Sequence, residues 1–150
     1  MRVSLIQCTV AWEHKSANLM YFESLLSGLA GQTDLVVLPE MCTTGFSQKS
    51  RQLAETPDGE TMQTFRRMAA AYGFAIAGSM IGKDLDADDA PCFNRAFFVE
   101  PDGKTTFSDK RHLFRMGEEQ LHYAAGNDRT PVSYLEWNIR LAVCYDLRFP

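Results

Sequence analysis

The chain has 150 residues, 45% of them hydrophobic and 23% charged, a balance typical of a single globular domain with a sizeable core. Its net charge of −4 argues against a nucleic-acid partner, because nucleic-acid surfaces are usually basic. There is neither an apolar run long enough to cross a bilayer nor a signal-peptide cleavage site after MRVSLIQCTVAWEHK, so we expect a cytoplasmic protein with no membrane partner.

The first half of the chain predicts strands that alternate with helices. Residues 2–8 alternate apolar and polar side chains, which predicts a strand. Residues 16–30 and 61–72 place apolar side chains at helical spacing. Residues 34–39 and 74–81 are short continuous apolar runs, which indicate strands buried on both faces.

The second half predicts hairpins around an irregular segment. Residues 93–100 lead through a Pro-Asp-Gly turn into residues 105–110, the pattern of a hairpin. Residues 111–130 are irregular or form short helices, and residues 132–137 and 139–144 form two strands joined by a tight turn. The order of these elements predicts an α/β layered fold.

The cysteines and acidic residues do not indicate a metal centre, and no cofactor is expected. Cys8, Cys42, Cys92 and Cys144 are widely spaced, which favours reduced thiols. The sequence has neither paired cysteines nor an H-E-x-x-H motif for zinc. The acidic run at 84–91 lacks the glycine and the final glutamate of a calcium loop, so we interpret it as a surface loop.

Three reactive side chains stand where strands end. Glu40 directly follows VVLP, Lys110 directly follows TTFSD, and Cys144 directly follows LAV. Ligands of α/β sheets bind at the carboxyl ends of strands, so the three can meet there. A cysteine with a carboxylate base, a lysine and the next backbone N–H, that of Tyr145, would make an acyl-transfer site. Each residue also has a structural alternative: a cap for Glu40, a surface position for Lys110, and the core for Cys144.

A cysteine–histidine pairing is a weaker alternative. His14 lies in an early polar loop, and His112 and His122 flank the irregular segment. No sequence context fixes any of them beside Cys144.

Three motifs carry a family resemblance. In order and spacing, DLVVLPEMCTTGF, DKRHLF and LAVCYDLRFP resemble the catalytic motifs of the nitrilase, or carbon–nitrogen hydrolase, superfamily. The resemblance covers residues 2–150. It implies an α/β fold of the α-β-β-α sandwich type, incomplete in this chain, because relatives continue well beyond the third motif. Residues 1–150 are then expected to be the N-terminal portion of a single carbon–nitrogen hydrolase domain.

The resemblance also implies roles for the reactive residues. Glu40 would be the general base, Lys110 the oxyanion-stabilising lysine, and Cys144 the nucleophile. The family often has a second glutamate between the lysine and the cysteine, and its position before AAGND favours Glu119 over Glu118. The alternative is that these two form an ordinary solvated acidic pair.

One branch of the superfamily is the most similar. CYDLRFP together with EMCTTGFS resembles the omega-amidases, which implies ω-amides of short dicarboxylates, such as 2-oxoglutaramate, cleaved through a cysteine thioester with release of ammonia. Arg148 would hold the substrate carboxylate, or else pair with Asp146 or another acid. Four further residues are candidates for the pocket lining, although core packing is the commoner role for such side chains: Tyr145, Phe46, Met116 and Tyr123.

Two other functions stay open. A hydrolase of carbamoyl compounds or aliphatic amides would carry the same three residues. A catalytically silent binding module would keep the fold without the chemistry. The family resemblance also implies that the protein forms a homodimer. It implies a small-molecule amide as the substrate.

Overall fold

The computed structural model describes residues 1–127 and 131–149, and a mixed five-stranded sheet lies at its centre. The end of the predicted irregular segment, 128–130, and Pro150 lie outside the described residues. The strands follow each other across the sheet in chain order: β1 Val3–Leu5, β2 Leu35–Val37, β3 Ala75–Gly82, β4 Phe93–Val99 and β5 Thr105–Asp109. Strands β1 to β3 are parallel and β3 to β5 antiparallel, which confirms the predicted α/β class.

Two long helices cover one face of this sheet. They are α1 Lys15–Ser27 and α3 Glu60–Tyr72, and a short helix, α2 Ser50–Leu53, precedes α3. Helix α3 buries Met62, Phe65 and Met68 at helical spacing, as predicted, and ends at Gly73, whose φ of 74° closes the helix in the left-handed conformation. Sequence analysis missed α2, because four residues are too few to show a period.

The alternation of side chains along β4 separates the hydrophobic core from the opposite face. Phe97 belongs to the core under the helices, where its ring stacks on Phe65 with centroids 5.1 Å apart. Phe98 belongs to a separate cluster on the other face, together with Val132. Since neighbouring strand residues point to opposite faces, Asn94 shares the face of Phe98.

The C-terminal part differs from its prediction. Strands β6 Val132–Tyr134 and β7 Trp137–Ile139 form an antiparallel hairpin. Its turn is at Leu135 and Glu136, both left-handed, whereas a turn near residue 138 was predicted. Two left-handed residues suit a tight hairpin turn, because they match the twist of the strands.

The second predicted strand of this pair, 139–144, was therefore placed too far along the chain. Strand β7 ends at Ile139, and within the described ranges no strand pairs with residues 140–143. A short 3₁₀ helix, Cys144–Arg148, follows directly. In the described residues no helix combines the length and the apolar character needed to span a membrane.

Candidate active site

Glu40 lies just beyond the carboxyl end of β2. The turn after it is fixed by the neighbouring strand, because the N–H of Met41 donates to Ser79 Oγ over 2.8 Å and the N–H of Cys42 to the Ser79 carbonyl over 2.9 Å. Met41 adopts a left-handed φ of 46° in this turn. The Glu40 side chain is about one-quarter exposed, at 26%.

Lys110 follows β5, and its side chain is completely buried, with 0% exposure. The backbone continues the ladder: the Lys110 N–H donates to the carbonyl of Asn94 over 2.9 Å. The Lys110 ammonium lies 2.9 Å from Glu40 Oε1 and 3.0 Å from Glu119 Oε2. A buried ammonium therefore bridges two carboxylates from distant parts of the sequence.

Of the two adjacent glutamates, the structure brings Glu119 into this cluster and leaves Glu118 exposed. Glu118 has a left-handed φ of 57°, which separates two short 3₁₀ helices, Arg115–Gly117 and Glu119–Leu121. The Glu119 carboxylate is buried and also accepts the N–H of Phe114 over 2.6 Å.

Sequence analysis missed Asn94, a fourth member of this cluster. It is fully buried, and its Nδ2 donates to Glu40 Oε1 over 2.7 Å and to Glu119 Oε1 over 3.1 Å. The register of the predicted hairpin could have revealed it. Asn94 lies opposite Lys110 across this hairpin, so both side chains share one face.

Cys144 begins the C-terminal 3₁₀ helix with a left-handed φ of 47°, in a sharp turn that leaves this residue exposed. Partial desolvation of the sulfur raises the pKa of the Cys144 thiol, and so does the negative charge of Glu40, while the positive charge of Lys110 acts in the opposite direction. The net shift is upward, so the resting group at neutral pH is a thiol that needs a base.

Asp146 connects this turn to the segment after Lys110. Its carboxylate accepts the N–H of Val143 over 3.1 Å, that of Arg111 over 3.2 Å and that of His112 over 2.8 Å. His112 Nδ1 lies a further 3.0 Å from Asp146 Oδ1. His112 is thus tied to Asp146, in a position that the sequence did not reveal.

The charges of the cluster stabilise one another. Burial alone would lower the pKa of Lys110, but the hydrogen bonds and charges of Glu40 and Glu119 outweigh it, so the pKa is raised. The lysine is therefore a permanent cation at physiological pH. Among the described residues no group of three His, Cys, Asp or Glu side chains is arranged to hold a metal ion.

Comparison with known proteins identifies the family. Residues 2–150 match the family described as carbon-nitrogen hydrolase. The chain belongs to the carbon–nitrogen hydrolase family.

Relatives of this chain include proteins named as amidases. It is 39% identical to omega-amidase YafV of Escherichia coli over 150 residues, which are 100% of this chain and 56% of that protein. It is 25% identical to 2-oxoglutaramate amidase of Bacillus subtilis, over 99% of this chain and 57% of that protein. The chain thus spans about half the length of the curated relatives that it matches.

A solved structure gives the same fold. XC1258 of Xanthomonas campestris, a CN-hydrolase superfamily protein with an arsenic adduct in the active site, aligns with a TM-score of 0.92 and 46% identity, over 99% of this chain and 55% of that protein. The predicted nitrilase-type fold is thereby confirmed.

A cavity of about 410 Å³ opens beside the cluster, between the sheet and residues 139–144. Glu40 and Cys144 both line it, and its other walls are mainly apolar, with Val37, Ala77 and Phe98 among them. The nucleophile candidate and the base candidate therefore face the same space.

The predicted pocket residues are more scattered. The Phe46 ring lies 5.7 Å from the Lys110 ammonium. Tyr123 is buried, and its hydroxyl donates to the Ser47 carbonyl. Tyr145 and Met116 line a second cavity of about 410 Å³, where Met116 is 89% exposed.

Arg148 is exposed at the end of the last 3₁₀ helix and lines neither of the two cavities described above. Within residues 1–127 and 131–149, the Asp146 carboxylate contacts the His112 imidazole and forms no ion pair with Arg148. The structure therefore does not bring Arg148 to the cluster.

Proposed function

We propose that the protein carrying this chain is an amidase that hydrolyses the C–N bond of a small carboxylate-bearing amide and releases ammonia. The observation that carries the proposal is the buried Lys110 ammonium, held between Glu40 and Glu119, with Glu40 and Cys144 lining one cavity beside it. Cys144, Glu40 and Lys110 would provide the nucleophile, the base and the fixed positive charge that acyl transfer requires. Membership of the carbon–nitrogen hydrolase family supports the same reaction.

In the first half-reaction Glu40 accepts the thiol proton of Cys144 as the sulfur attacks the amide carbon. The C=O electron pair moves onto oxygen, and the Lys110 ammonium and the N–H of Tyr145 stabilise that negative charge. When the tetrahedral intermediate collapses, the C–N bond breaks and Glu40 returns the proton to the leaving nitrogen. Ammonia leaves, and an acyl thioester remains on Cys144.

In the second half-reaction a water molecule attacks the thioester. Glu40 takes one proton from the water, a second tetrahedral oxyanion forms, and the C–S bond breaks to give a carboxylic acid. The thiolate recovers a proton from Glu40, which restores the resting thiol. Glu119 does not touch the reacting atoms here; together with Glu40 it fixes the Lys110 ammonium and keeps it charged.

The substrate is an ω-amide of a short dicarboxylate, such as 2-oxoglutaramate. The names of two relatives, an omega-amidase and a 2-oxoglutaramate amidase, support this class. We keep Arg148 as the proposed partner of the substrate carboxylate, and Phe46, beside Lys110, as a pocket residue. A homodimer in the cytoplasm stays a prediction.

The decisive experiment is Cys144→Ala in the complete protein that carries this chain, with ammonia release from 2-oxoglutaramate as the measurement. Loss of the nucleophile should lower turnover by about 10⁴-fold or more, with a far-UV spectrum like that of the wild type. Cys8→Ala is the matched control, because Cys8 is a free thiol at the edge of the hydrophobic core.

Normal turnover by the Cys144→Ala protein would overturn the mechanism. A binding module would show no turnover even in the wild type. Faster hydrolysis of neutral aliphatic or carbamoyl amides than of 2-oxoglutaramate would move the protein to another substrate class. An unchanged KM for 2-oxoglutaramate in Arg148→Ala would exclude Arg148 as the carboxylate partner.

A further inference from the structure

We propose that Asn94 is a positioning residue of this site: its amide nitrogen bridges the Glu40 and Glu119 carboxylates and sets which oxygen of Glu40 faces the thiol. This inference rests on the proposed amidase function and adds a residue to its machinery.

The geometry gives the Asn94 amide two distinct acceptors. Nδ2 carries two hydrogens, and it lies 2.7 Å from Glu40 Oε1 and 3.1 Å from Glu119 Oε1. The Lys110 ammonium bridges the same two carboxylates at 2.9 and 3.0 Å. Asn94 and Lys110 thus hold two negative groups together, and Asn94 does so without adding a charge.

Both donors bind the same oxygen of Glu40. In the described part of the chain, the side chains of Asn94 and Lys110 direct their hydrogen bonds to Oε1 of Glu40. With Oε1 occupied twice, Oε2 is the oxygen with free lone pairs for the Cys144 proton. Removing the Asn94 donor would let the carboxyl group rotate about its last torsion, which is broad and shallow.

The other end of the amide argues against a merely structural role. Asn94 is fully buried, and its Oδ1 has no hydrogen-bond partner among the described residues. Such an unpaired acceptor is unfavourable for the fold, and unsatisfied groups of this kind call for a specific reason. The orientation of the amide is fixed by chemistry, since the reverse orientation would place its carbonyl oxygen against two carboxylates.

The test compares Asn94→Asp with Asn94→Ser in the complete protein that carries this chain. Aspartate has the same shape but donates nothing when ionised, whereas serine is shorter and keeps one donor. We expect kcat for 2-oxoglutaramate to fall about 10²-fold in Asn94→Asp and about 10-fold in Asn94→Ser, with KM changed less than about 3-fold, because positioning of a base acts on the chemical step.

A second readout separates positioning from packing. In Asn94→Ser the acidic limb of the kcat/KM profile should move to higher pH, because the carboxylates lose a donor that favours their ionised forms. Asn18→Ala is the matched control: Asn18 is also a buried amide, but it binds the backbone of Ala11 and Thr43. It should lower the Tm and leave the pH profile unchanged.

The inference is overturned if Asn94→Ser has the wild-type pH profile and differs from the wild type only in Tm, as Asn18→Ala should. If Asn94→Asp does not fold, Asn94→Ser alone decides. Failure of the proposed function is a separate result, because it would show as turnover in Cys144→Ala or as an inactive wild type.

Discussion

The two faces of the central sheet are formed by the same strands, but one is apolar and the other carries buried charged and polar groups. One face packs under α1 and α3, where Phe22, Phe65 and Phe97 are fully buried in an apolar cluster. The opposite face carries Asn94 and Lys110, buried among charged and hydrogen-bonded groups. Strand alternation makes this separation possible, because adjacent residues of one strand belong to different environments.

The helix face mainly stabilises the fold, and the site face carries the reactive groups. On the helix face, close packing excludes water and contributes to the free energy of unfolding. On the site face, a buried cation and two carboxylates are retained, although such groups are costly to desolvate and often stabilise a fold less than apolar residues would. Substitutions on the helix face should therefore lower mainly the stability, and substitutions on the site face should lower mainly the turnover.

Of the substitutions that contrast the two faces, Glu40→Gln should give the largest effect, and mainly on chemistry. Glutamine keeps the shape but cannot take the thiol proton, so turnover should fall about 10³-fold. The same change removes a charge that raises the pKa of Cys144, so thiolate forms at lower pH. Alkylation by iodoacetamide should then rise at a lower pH than in the wild type.

In the wild type the raised pKa means that alkylation of Cys144 is slow at neutral pH and accelerates as pH increases through that pKa. Mass spectrometry of the labelled Cys144 peptide between pH 6 and pH 10 measures both profiles. Identical profiles would show that Glu40 does not act on the thiol.

Phe65→Ala should give the next largest effect, and only on stability. Phe65 is fully buried against Phe22 and Phe97, and its truncation leaves a cavity that costs about 3–5 kcal/mol. Urea unfolding of the complete protein measures the loss, and the pH dependence of kcat in the folded fraction should stay the same. Trp137→Ala is the control, because Trp137 is 56% exposed.

Asp146→Asn should give the smallest effect, and it should change both kcat and Tm. Its carboxylate accepts hydrogen bonds from Val143, Arg111 and His112, and one charged hydrogen bond contributes about 1.5–3 kcal/mol. We expect kcat to fall about 10-fold as the turn at Cys144 loosens, with a small decrease in Tm. A large fall in Tm with normal kcat would make Asp146 a residue of the fold alone.

Much of this site was readable from the sequence because its parts are local. Glu40, Lys110 and Cys144 each come at the end of a predicted strand, and this pattern can be recognised in the sequence alone. The two long helices, α1 and α3, were also predicted, since apolar residues at helical spacing recur along the chain. The choice of Glu119 over Glu118 agrees with the geometry, in which only Glu119 approaches Lys110.

What escaped prediction depends on pairing between distant segments. Asn94 looks like an ordinary polar residue in a strand until the register sets it opposite Lys110. His112 acquires its partner Asp146 only when the last turn folds back. The strand predicted to reach Cys144 failed because an apolar pattern does not reveal whether a neighbouring strand is there to pair with it.

Non-glycine residues in the left-handed conformation recur around this site. Six are present in the described part of the chain, and three of them adjoin the cluster: Met41 after Glu40, Glu118 before Glu119, and Cys144 itself. Each such backbone costs about 1–2 kcal/mol relative to the right-handed form. For protein engineering this sets a boundary. Glycine at the exposed Glu118 would relieve strain and raise thermostability, but it would also loosen the turn that positions the Glu119 carboxylate. Met41 is fully buried beside Ile81 and Tyr123, so glycine there would leave a cavity and destabilise the fold. Stabilising designs should therefore begin at Leu135 and Glu136, where the hairpin turn carries the same strain away from the cluster.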